Sequence, residues 1–188
     1  HQASWSTSAA SGVSLEEDPT NSLNDWIATN SPTPGSANSA STGPVVSDLV
    51  MNEVMPNPWP SDDNASWPGG EWVEILNTGT SDIDLTGWSI VDNAGNTLPF
   101  NSSHLVGPSS IIAAGDHRII AVNSSTSWGV LNNGGESLRL LWPNGTLSQT
   151  ISWTDTEAGF SLTEQQDGTW GHSSFPTPGS ENPPYWEA

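Results

Sequence analysis

The chain has 188 residues, with 21 Asp and Glu against two Arg and no Lys, a formal net charge of −19. Two cations cannot neutralise a run of phosphates, so nucleic-acid binding is excluded, and an anionic membrane surface is disfavoured for the same reason. There is no Cys, which rules out thiol chemistry and disulfides, and no apolar run is long enough to span a bilayer as a helix.

From the amino terminus, Ser4-Trp5 is followed by Gly12-Val13-Ser14-Leu15, Trp26 and Pro32-Thr33-Pro34-Gly35-Ser36-Ala37-Asn38. The same order returns near the carboxyl end as Ser152-Trp153, Gly159-Phe160-Ser161-Leu162, Trp170 and Pro176-Thr177-Pro178-Gly179-Ser180-Glu181-Asn182. An ordered internal repeat marks a recurring structural unit. Residues 1–38 therefore read as the closing portion of one domain, and residues 45–182 as a complete copy. Residues 39–44 form a short polar linker ending in Gly43-Pro44, and residues 183–188 form a Pro- and aromatic-rich tail. In this reading Trp5, Val13, Leu15, Trp26, Tyr185 and Trp186 are the expected subunit contacts.

Within residues 45–182 the periodicity is that of strands. Leu49–Met55 opens the series, and Glu71–Asn77 follows with Val73 and Ile75 on one face and Trp72 and Glu74 on the other. Gly87–Val91 and Thr97–Phe100 flank Asn93-Ala94-Gly95-Asn96, which has turn chemistry. His117–Val122 is a buried-strand pattern, and Ser137–Trp142 with Thr146–Trp153 forms a second hairpin around Pro143-Asn144-Gly145. No window sustains a helical period. Short strands with Gly and Asn turns predict an all-β, antiparallel sandwich.

Glu71-Trp72-Val73-Glu74-Ile75-Leu76-Asn77 followed by Ile83-Asp84-Leu85-Thr86-Gly87-Trp88-Ser89-Ile90 resembles the signature of the lamin-tail domain family. Met51-Asn52-Glu53-Val54, Leu131–Leu140, Trp170 and Pro176–Asn182 are similar to its other motifs and stand in family order. The chain departs from the pattern at Thr163 and Glu164, where an Arg is common. The resemblance implies an immunoglobulin-like β-sandwich of the prokaryotic, extracellular type, and no catalytic residues.

The residues themselves agree on the last point. His1, His104, His117 and His172 are scattered without zinc-ligand spacing, and no Gly-x-Ser-x-Gly elbow is present. Calcium is the candidate cation, because hard ions take oxygens from flexible loops. Asp62, Asp63, Asp82 and Asp84 are its candidate ligands, although solvated loop acids are the plainer explanation. Trp72, Trp88, Trp142 and Trp153 lie in strand patterns and should pack. Trp59, Trp67 and Trp128 lie in loops and are the candidates for stacking on sugars. Asn64, Asn101, Asn123 and Asn144 head N-x-S/T acceptor sites, which fits an extracellular glycoprotein. The expected function is a self-associating structural subunit of a filament, sheath or surface layer, and the alternative is a carbohydrate-binding or adhesion module that binds glycans.

Overall fold

The computed structural model describes residues 14–17, 26–29, 47–62, 65–123, 131–165 and 168–182. The chain separates into two compact units, His1–Val45 and Val46–Ala188. The described part of the first unit is a single antiparallel hairpin, β1 (Ser14–Glu17) with β2 (Trp26–Thr29), in which Ser14 faces Thr29 and Glu17 faces Trp26.

The second unit is all-β among its described residues. Five strands form one antiparallel sheet in the order β13-β12-β3-β4-β9. These are β3 (Leu49–Met55), β4 (Trp72–Asn77), β9 (His117–Ala121), β12 (Ser161–Glu164) and β13 (Trp170–Ser173). A four-stranded sheet runs β11-β10-β6-β7, with β6 (Ser89–Val91), β7 (Thr97–Pro99), β10 (Glu136–Leu141) and β11 (Leu147–Trp153). A two-stranded ribbon joins β5 (Ile83–Asp84) to β8 (Ile111–Ile112).

Alternation puts one face of each large sheet into a common core. Leu49, Met51, Val54, Val73, Ile75, Ile120 and Leu162 from one sheet meet Ile90, Leu98, Leu138, Leu140, Ile151 and Trp153 from the other, which is a sandwich arrangement. A smaller cluster of Met55, Trp72 and Ile119 sits on the outer face of the five-stranded sheet.

The two expected hairpins form. Asp92 organises the β6–β7 turn by accepting from the Asn96 backbone N–H at 2.7 Å and from Asn96 Nδ2. Pro99 is tolerated because β7 is an edge strand, where a missing donor breaks no ladder. The β10–β11 turn holds Asn144 and Gly145, the latter at φ +82°, a left-handed conformation that suits glycine. Trp142 lies just past β10 and is half-buried, its ring 4.4 Å from that of buried Trp88. No helix among the described residues is long and apolar enough to cross a membrane.

Candidate interaction site

Residues 161–182 build an edge and a clasp. Strand β12 attaches to β3 through only two residue pairs, Leu162 with Val54 and Thr163 with Glu53. It then turns back as β13, with Ser161 facing Ser173 and Glu164 facing Trp170. That register equals the register of β1–β2: a Ser opens each first strand, a Leu follows, and a Glu at its end faces a Trp.

Beneath this hairpin the β3 ladder is irregular. Its register steps from Met51 opposite Ile75 to Glu53 opposite Glu74, leaving Asn52 as the extra residue of a bulge. Strict alternation would put Glu53 on the core face with Met51. The bulge turns it outward, opposite Glu74, and both residues are 0 % exposed. Two like charges directly opposite on a sheet repel, so the surroundings must supply donors.

The Pro176–Asn182 motif supplies them. The Thr177 N–H donates to the Glu53 carboxylate at 3.1 Å and its hydroxyl lies 3.2 Å from Oε2. That one hydroxyl hydrogen is shared with Asn182 Oδ1, also at 3.2 Å. The Gly179 N–H donates to Glu74 Oε2, and Asn52 Nδ2 donates to Oε1 at 2.7 Å. Asn182 Nδ2 closes the loop on the Asn52 carbonyl at 2.9 Å. Gly179 takes φ +80°, a backbone shape that aims its N–H at the carboxylate and that a side chain would strain.

Burial raises the Glu74 carboxyl to about 7, against the pull of the Asn52 and Gly179 donors, and the neighbouring Glu53 charge adds to the rise. Glu53 is raised in the same way, by burial first, with the Ser161 hydroxyl and then the Thr177 donors opposing. His117 Nε2 stands 3.9 Å from Glu74 Oε1. Burial lowers its pKa, with Asp116 and Glu181 working against that. Both shifts favour uncharged forms, so this contact contributes little as an ion pair.

Beside the clasp, β11 and β13 are the outer strands of their sheets. They flank a groove of about 400 Å³ lined by Gln149, Ile151, Trp153, Glu164 and Trp170 among others. Gln149 also accepts from the Met51 N–H at 2.6 Å, tying β11 to β3.

The other expected residues scatter. Trp59 is 59 % exposed, and its ring lies over Gly159, where an added Cβ would come within 2.4 Å of it. Phe175 is likewise exposed. Trp67 is not a free platform: it is half-buried, edge-on to Trp72 with ring centres 6.2 Å apart. Asn101 and Asn144 are exposed, and each accepts at Oδ1 from the N–H two residues on, Ser103 and Thr146 respectively, both at 2.9 Å. Asn123 is half-buried at φ 52°, its amide tied to the Trp67 N–H and the Ser103 carbonyl, which leaves it poorly placed as a glycan acceptor.

Asp62, Asp82 and Asp84 are exposed. Asp84 is held below its ordinary range by the Thr86 backbone and hydroxyl donors, and Asp82 accepts from the Ala114 N–H at 3.3 Å. No three His, Asp or Glu come together as a metal-holding group among the described residues. Asp63, Asn64, Trp128, Trp5, Val13, Tyr185 and Trp186, and the side chains of Leu15 and Trp26, lie outside the described residues. Strand alternation alone could not disclose the clasp, because the bulge that creates it changes the phase.

The model of the Lamin Tail Domain family matches residues 42–155. That domain is a non-catalytic module. No curated protein and no solved structure matches the chain.

Proposed function

Because the chain belongs to the lamin-tail domain family, we propose that it is an extracellular structural protein of the prokaryotic, immunoglobulin-like type. It is a subunit of a filament, sheath or surface layer, assembled from lamin-tail-like β modules by strand complementation or augmentation. The observation that carries this reading is the common register of β1–β2 and β12–β13. A closing hairpin of this kind covers a sheet edge. Residues 45–182 already carry one hairpin of that pattern, so β1–β2 is material for a further edge. Head-to-tail contacts of this sort extend into filaments when the rotation does not close. The exposed acceptor sites at Asn101 and Asn144 and the acidic surface support an extracellular setting.

The expected result is assembly that grows with concentration, seen by light scattering and as filaments or sheets by electron microscopy. It should be lost when residues 1–38 are deleted. A full-length chain that stays monomeric at every concentration would overturn the reading.

One observation favours the second reading, a carbohydrate-binding or adhesion module. The Trp59 ring is mostly exposed and rests on Gly159, and such a platform suits stacking on a sugar face. If that is the function, monomers bind polysaccharide, and Trp59→Ala weakens binding by about tenfold or more, a loss of roughly 1.4 kcal/mol or greater. Calorimetry against a panel of polysaccharides checks it, and equal binding by the variant rejects it.

A further inference from the structure

We propose that the partner of the β1–β2 hairpin is the β3–β4 edge of a second copy of this chain, and that docking there is gated by acid through Glu16. This rests on the self-assembly reading above and names its acceptor and its control.

Three features make the β3 edge an acceptor. The resident hairpin holds it by two ladder pairs only, Leu162 with Val54 and Thr163 with Glu53, so displacing β12 breaks a short ladder. The determinants that recognise the hairpin are specific: Leu162 fills the core, and Thr177, Gly179 and Asn182 satisfy two buried carboxylates and the bulge. The amino-terminal copy carries the same residue types at each of those places: Leu15, then Thr33, Gly35 and Asn38 in Pro-Thr-Pro-Gly-Ser-Ala-Asn. An edge that offers two glutamates opposite one another selects for that set of donors.

The copies differ at one telling place. The register of β1–β2 puts Glu16 where β12 has Thr163, and Thr163 is buried with Glu53 as its cross-strand partner. A docked β1 would therefore set a third carboxylate directly against Glu53 and next to Glu74. The other charged groups of that neighbourhood are Glu17, the next residue of β1, Asp116 just before β9, His117 at its first position, and Glu181 in the clasp, so acids predominate around it. With the carboxyls protonated, Glu16 can hydrogen-bond where Thr163 sits. With them ionised, like charges face each other in a buried ladder. Acidification thus favours exchange between copies, and neutral to alkaline conditions favour the resident hairpin.

The absence of Cys makes the test clean. In the full chain, Leu15→Cys with Val54→Cys places thiols at the positions equivalent to the Leu162–Val54 pair. On oxidation this double variant should give a ladder of covalent multimers at about pH 5 and at least about tenfold fewer at about pH 8. Adding Glu16→Thr should restore the ladder at about pH 8. Leu162→Cys with Val54→Cys, which should close within one chain, reports that a chain carrying Val54→Cys folds. Should it not fold, amide exchange on the unaltered chain replaces the cross-link: protection at residues 14–17 should rise with concentration at acid pH.

Assembly by light scattering without a disulfide between the two substituted positions, or without protection of β1, overturns this inference and leaves self-assembly standing. Absence of assembly, or a bond formed only within single chains, overturns both. A multimer yield that ignores both pH and Glu16→Thr overturns the acid gate.

Discussion

Leu162→Ala should destabilise the second unit by about 2–5 kcal/mol, the ordinary range for truncating a fully buried Leu. Leu162 is 1 % exposed and sits in the main core. It is also one of only two residues through which β12 pairs with β3. The cavity it leaves would lie where the hairpin has least backbone support, so the loss should fall first on β12, β13 and the clasp. Urea unfolding followed by Trp fluorescence measures the global term. Amide exchange measures the local one, with residues 161–173 expected to lose protection before β4 and β10. A loss below about 1 kcal/mol would mean that the closing hairpin is not part of the cooperative core. Under the exchange proposal the same variant should assemble more readily, because the resident hairpin competes less well.

The strand pattern was legible where a residue's face is decided by simple alternation. Val73 and Ile75 go to the core while Trp72 and Glu74 turn away, and turns containing both Asn and Gly mark the two hairpins of the four-stranded sheet. Residues 14–17 and 26–29 pair in the same relative register as residues 161–164 and 170–173. The clasp was not legible, for two physical reasons. The bulge at Asn52 reverses the phase of β3, so Glu53 leaves the side on which period-two counting puts it. An acid that faces away from a core reads as solvated, and only tertiary structure shows a segment more than a hundred residues later lying over it, as Thr177 lies over Glu53. Trp67 illustrates the opposite case: a loop Trp reads as exposed, yet Trp72 lies on the outer sheet face and gives it a surface to pack on. Trp59 lies over Gly159, which offers no side chain to cover it, and stays open.

The same clasp makes the second unit more stable in mild acid than in mild alkali, the reverse of ordinary acid denaturation. Glu74 rises from an ordinary value of 4.5 to about 7 in the folded chain. The folded state therefore holds this proton more tightly than the unfolded state does. The resulting stabilisation is full below about 4.5 and is lost as pH rises through about 7. Glu53 is raised as well and acts in the same sense. His117 acts against them: its pKa is lowered from 6.5, so its contribution is full above 6.5 and falls away as pH drops below that. Asp84 is lowered from 3.8 and matters only near and below that value. Between about pH 8 and 6.5 His117 does not yet oppose the glutamates, and acidification across that window should raise stability by roughly 1 kcal/mol. Glu74→Gln should be the more stable protein at about pH 8 and should flatten the profile. A Gln oxygen still accepts from Gly179, and an Asn52 amide turned over still pairs with the Gln nitrogen, so the clasp survives without the charge. Chemical denaturation of both proteins at intervals between about pH 4 and 9 decides it. A wild-type profile that is flat or falls on acidification from 8 to 6.5 would show that both carboxylates are ionised in the fold, and the electrostatic account of the clasp would then fail.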